Sequence, residues 1–114
     1  MTIRRISHTN RLSHCTVHNG NVYMARRADD PKADISEQTR QVLARFDELM
    51  AEAGTNKSRL LMVTIYLALA EDFEAMNTVW DDWVDAESPP TRATVMGPMP
   101  NPAWKVEMVA IAAV

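Results

Sequence analysis

The segment Leu60–Ala70 constrains this chain most. It is apolar almost without a break, interrupted by Thr64, and it carries Val63, Ile65 and Tyr66. A stretch of that length is too short to span a bilayer. Its β-branched and aromatic content favours extended backbone. Flanked by helical patterns on both sides, it reads as a central strand buried on both faces, in parallel pairing. A chain with such a strand needs a sheet around it and helices to cover it.

The flanking patterns supply those elements. Asp34 followed by Glu37 approximates a capping box. Thr39, Val42, Leu43, Phe46, Leu49, Met50 and Ala53 then recur at spacings of three and four, and Gly54 stands where a helix stops. A second helix is expected from Glu71 to Asp85, with Phe73, Met76, Asn77, Trp80, Trp83 and Val84 along one side. Residues 2–7 alternate loosely, as an edge strand does. Cys15–His18 and Val22–Ala25 flank Asn19-Gly20, a hairpin signal because both residues tolerate positive φ. Two further strand-like runs, 91–97 and 104–112, are expected to pair around a Pro-rich turn. The order β-β-β-α-β-α-β-β implies an α+β domain over residues 1–114, with one mixed sheet and both helices on one face.

A length of 114 residues fits one domain. The net charge of −3 argues against a dedicated nucleic-acid binder. That charge is unevenly spread: Arg4, Arg5, Arg11, Arg26 and Arg27 all precede the first acid, Asp29. The asymmetry marks either an anion site or opposite faces that meet between subunits. Cys15 is the only cysteine, so no internal disulfide forms and a reducing compartment is the default. No apolar stretch of signal-peptide type follows the charged N-terminus. The expected location is the cytoplasm, with no membrane partner.

Two charged residues interrupt the last apolar runs. Arg92 and Glu107 lie fifteen positions apart, each inside a strand-like segment. An ionised group in such a run has a partner or a task, because burying it alone is costly. They form either a cross-strand ion pair or a site in which the arginine fork grips a carboxylate and the glutamate handles water or protons. Alternation puts Lys105 on the face of Glu107, as a competing partner. Asn77 is either a core hydrogen-bonder or a ligand contact. His14, Cys15 and His18 suggest zinc only superficially: the alternation that aligns the histidines sends Cys15 to the other face. No metal is expected.

Several segments share a further likeness. Arg11-Leu12-Ser13, Val17-His18-Asn19-Gly20-Asn21-Val22-Tyr23, Gln38-Thr39-Arg40-Gln41-Val42-Leu43, Ala53-Gly54, Phe73-Glu74-Ala75-Met76-Asn77, Pro90-Thr91-Arg92-Ala93 and Val106-Glu107 together resemble the RidA/YjgF family, in its branch of short, divergent members. The resemblance implies a chorismate-mutase-like fold, a homotrimer, and three ligand clefts between neighbouring subunits. It implies hydrolysis of reactive 2-imino acids to 2-oxo acids and ammonia, a form of metabolite damage control that needs no cofactor. Arg92 matches the arginine that binds the substrate carboxylate, Glu107 the acid that positions water, and Asn77 an asparagine of the cleft region. Ser13, or His14 if the alignment slips by one, stands where many deaminating members carry tyrosine. Arg26-Arg27 replaces a Ser-Gly or Ala-Gly pair whose backbone lies against the ligand, and so either blocks the cleft or adds an anion clamp. The alternatives are a non-catalytic trimer binding small carboxylates and, with less support, an endoribonuclease or translation inhibitor.

Overall fold

The computed structural model describes residues 2–114. Strands β1 (Arg4–His8), β2 (Ser13–His18) and β3 (Asn21–Arg27) precede helix α1 (Ile35–Ala53). Strand β4 (Leu60–Leu67), helix α2 (Phe73–Trp83), β5 (Thr91–Met96) and β6 (Val106–Ala113) follow. The expected element order holds throughout.

Local chemistry accounts for the boundaries. Asn19 and Gly20 both take positive φ, 51° and 81°, which matches the twist of the flanking strands. The Asp34 side chain accepts a hydrogen bond from the Glu37 amide at 2.9 Å and caps α1. Gly54 closes that helix in the left-handed region at φ 89°. The second helix is shorter than expected. A 3₁₀ turn at Ala70–Asp72 precedes it, and it ends at Trp83.

The six strands form one mixed sheet in the order β1-β2-β3-β6-β4-β5. Only β4 and β5 run parallel, joined through α2 as a crossover unit; β4 and β6 are antiparallel. The parallel pairing of the central strand therefore holds on one side only. The last two strands do not pair with each other, because β4 lies between them.

Both helices cover one face. Val42, Leu43, Phe46 and Met50 of α1 and Met76 and Trp80 of α2 pack with Val22, Met24, Val63, Ile65, Leu67, Val106, Met108 and Ala110 of the sheet. Within one chain β4 is not buried on both faces. Leu61, Met62 and Tyr66 are exposed, as are Tyr23 of β3, Val109 of β6 and Val95 of β5. A bulge between Leu60 and Met62 puts two successive residues, Leu61 and Met62, in solvent. An uninterrupted apolar run thus reflects an uncovered sheet face as well as a core. No helix of the described residues is long and apolar enough to cross a membrane.

Candidate functional site

Strand register decides where each candidate residue stands. Arg92 pairs with Val63, whose side chain is fully buried under the helices. Glu107 pairs with exposed Tyr66 on one side and with Arg27 on the other. Residues directly opposite each other share a face. Arg92 therefore lies on the helix-covered face and Glu107 on the open one. The two do not pair within the chain.

Glu107 lines a hollow of about 420 Å³ at the end of the sheet, with Ser13, His14, Arg26, Arg27 and Pro100. It also lines a neighbouring hollow of about 200 Å³ with Tyr66 and the Gly97–Pro100 turn. Four of the six expected site residues (Ser13, Arg26, Arg27 and Glu107) thus meet in one place. His14, the alternative to Ser13 at the tyrosine position, joins them. Burial and the Arg26 guanidinium lower its imidazole below its ordinary value near 6.5, so it is uncharged at neutral pH. Cys15 is buried on the opposite side, where burial pushes its thiol up. It is a core residue.

The paired arginines diverge. Arg26 lies on the helix-facing side, 14% exposed, and donates to Asp29 at 2.8 Å. Asp29 is held in turn by Arg45 at 2.7 Å, and that neighbour pulls its carboxyl below the usual range. Arg27 shares the open face with Glu107. Its guanidinium carbon lies 5.1 Å from the centroid of the Trp104 ring, and its Nε is 3.8 Å from the Glu107 carboxylate. That separation is a loose ion pair rather than a hydrogen bond. With these side chains 41% and 34% exposed, the pair adds little stability. Lys105 is not the partner of Glu107; Arg27 is. The arginine pair lines the hollow without filling it.

Arg92 and Asn77 belong to a second location, formed by β5 and α2. The Arg92 guanidinium lies 5.4 Å from the centroid of the Trp80 ring. Among the described residues it makes no ion pair and donates no hydrogen bond. Asn77 sits one turn before Trp80, so both share a helix face. The Asn77 Oδ1 and Thr94 Oγ1 atoms are shielded and have no partner among the described residues.

One buried residue to which the sequence gives no role holds the Glu107 side in place. Gln38 of α1 is fully buried. Its Nε2 donates to the carbonyls of Ala33 and Ala103, each at 3.1 Å, and its Oε1 accepts from the Lys105 amide at 2.9 Å. It ties the start of α1 to the loop that carries Trp104 into β6. Its family-like segment assigns it no role, and a polar residue beside the apolar stripe is equally the mark of a solvated position.

The same architecture recurs in known proteins. Residues 2–114 match the family model described as Endoribonuclease L-PSP. The chain is similar to a RutC family protein from Haemophilus influenzae, 44% identical over 114 residues and covering 98% of each chain. Its structure resembles that of an uncharacterized protein from Pseudomonas aeruginosa, with TM-score 0.95, 38% identity and 98% coverage of both chains. It also resembles a YjgF family member from Neisseria meningitidis, with TM-score 0.94 and 36% identity, covering 99% of this chain and 95% of the other. By its sequence, its sheet order and its helix cover alike, this chain belongs to the RidA/YjgF/RutC family.

Proposed function

We propose that this protein is a cytoplasmic hydrolase of 2-imino acids, working at clefts between neighbouring subunits of a homotrimer. One observation carries the reading. Arg92 and Glu107 lie on opposite faces of the same sheet. Neither can complete the site with the other inside one chain, so the reading calls on a second copy to bring them together. Arg92 is prepared for its part: the indole restrains it and no acceptor among the described residues occupies its fork. The exposed apolar side chains of the open face supply a surface for such an assembly.

In the proposed reaction, Arg92 of one subunit receives the carboxylate of the 2-imino acid through paired N–H donors. Asn77 borders that position. Glu107 of the neighbour, in the hollow with Ser13, Arg26 and Arg27, orients a water against the C=N carbon. Water adds to that carbon, forming the C–O bond, while the nitrogen takes up the proton. Glu107 carries a proton from the new hydroxyl to the nitrogen. The C–N bond of the carbinolamine then breaks, releasing ammonia and the 2-oxo acid. An iminium carbon is already electrophilic, so no cofactor is required. Holding substrate and water together provides much of the acceleration.

The test uses 2-iminopropanoate or 2-iminobutanoate generated in place, with loss of the imine followed directly. Turnover that disappears in Arg92→Ala and Glu107→Gln supports the proposal. Wild-type protein that matches buffer, while a working deaminase clears the imine, ends it. One observation favours a second reading, a non-catalytic carboxylate binder: Arg27 already approaches the carboxylate that would hold the water. A rise in melting temperature with 2-oxobutanoate and no turnover would favour that reading, since ligand at about 100 times its Kd stabilises by about 2.7 kcal/mol. RNA cleavage has less support, because a net charge of −3 is ill suited to tracking phosphates.

A further inference from the structure

Two arginines in this chain are built alike. Arg27 lies over Trp104 at 5.1 Å, and Arg92 lies over Trp80 at 5.4 Å. Neither guanidinium donates a hydrogen bond among the described residues. By contrast, Arg4, Arg26, Arg40, Arg45 and Arg59 all give N–H groups to protein acceptors. Arg5 and Arg11 are exposed and have no indole beneath them. A guanidinium resting on an indole loses rotamer freedom but keeps its edge donors free, so it meets an anion with little further ordering cost. A monocarboxylate would use one of these two forks and leave the other unspent.

The location of the unspent fork is informative. Arg27 lines the hollow of about 420 Å³ that holds Glu107, a size suited to a small ligand. Arg26 on the same wall shares Asp29 with Arg45, at 2.8 and 2.7 Å, and its side chain is largely buried. His14 is uncharged there at neutral pH. Arg27, 41% exposed and only loosely paired, is thus the more accessible cation in this half of the site. Its Nε side faces Glu107 at 3.8 Å, which leaves the Nη edge for a ligand.

We propose that the ligand of this cleft carries two carboxylates. Arg92 takes the one beside the C=N carbon, and Arg27 takes the one at the end of the side chain. The substrate class is therefore the 2-imino dicarboxylic acids, such as the imines formed by oxidising aspartate or glutamate. The inference rests on the hydrolytic reading above and narrows it. Engaging the second carboxylate also draws Arg27 away from Glu107 and frees that acid to hold water.

The experiment measures kcat/KM for 2-iminosuccinate, 2-iminoglutarate and 2-iminopropanoate, generated in place by an amino-acid oxidase. The enzymes compared are wild type, Arg27→Met and Arg27→Lys. Calorimetry with 2-oxoglutarate and 2-oxobutanoate gives an equilibrium readout on the same proteins. A charge-assisted bidentate contact gives a dicarboxylate preference of about tenfold to a hundredfold. That preference should collapse toward unity in Arg27→Met and return in part in Arg27→Lys, which also separates a lost charge from a misfolded variant. Equal wild-type kcat/KM for 2-iminopropanoate and the dicarboxylic imines overturns this inference and leaves the hydrolytic reading standing, as does a preference that survives Arg27→Met. Tighter, Arg27-dependent binding of 2-oxoglutarate without turnover of any imine supports the two-carboxylate ligand and removes the hydrolysis. Absence of both turnover and binding overturns both.

Discussion

Replacing Gln38 with Met removes the polar end of a fully buried side chain at nearly constant length. The Lys105 amide loses its 2.9 Å acceptor, and the Ala103 and Ala33 carbonyls each lose a 3.1 Å donor. A buried amide left unpaired costs about 1–3 kcal/mol, and each lost carbonyl bond costs about 0.5–1.5 kcal/mol more. The apolar side chain returns some of this through burial. The expected net loss is about 2–4 kcal/mol. In a domain of this size, that lowers Tm by about 10 °C. The assay is calorimetric melting at fixed protein concentration, because assembly makes Tm concentration-dependent. A second readout follows from position: the freed loop carries Trp104, the platform under Arg27, so ligand affinity should fall along with stability. A loss below about 1 kcal/mol with unchanged affinity would refute the argument that Gln38 holds this loop.

Three other outcomes are expected. Arg92→Ala should stay folded and lose less than about 1 kcal/mol, the worth of its contact with Trp80, yet lose carboxylate binding; a collapse in denaturant melts would mean that the arginine is structural. Burial, and then the neighbouring Glu71, raises the Asp72 carboxyl above its ordinary 3.8. A carboxyl raised in the folded state favours folding at low pH, and that contribution is lost as pH climbs from about 3.8 through the raised value. Asp72→Asn should therefore raise Tm at pH 7 and do so progressively less toward pH 4; an offset independent of pH contradicts this. Gly54→Ala meets no atom within 4 Å, so its cost is the left-handed backbone alone, about 1–2 kcal/mol, and a neutral melting curve would remove that explanation.

Much of the architecture was legible because its signals are local. An Asp cap, a stripe at helical spacing and a terminal Gly define α1 within a residue or two of its observed ends. Asn19-Gly20 needs only its own dihedral freedom to mark the hairpin. The family resemblance points to Ser13, Arg26, Arg27 and Glu107, and these four line one hollow. The roles of Trp104 and Gln38 were not legible. A tryptophan beside a lysine, and a glutamine beside a helix stripe, take their meaning from partners far away in the chain.

Sequence alone determined the order of elements, the ends of α1, the hairpin and the identity of the charged residues in the last two strands. Only the tertiary structure decided that β4 lies between β5 and β6, and hence that Arg92 and Glu107 occupy opposite faces. The physical reason is the period of the strand. Alternation says that neighbours point to opposite sides, but the side that becomes buried depends on which strand pairs with which, and in what register.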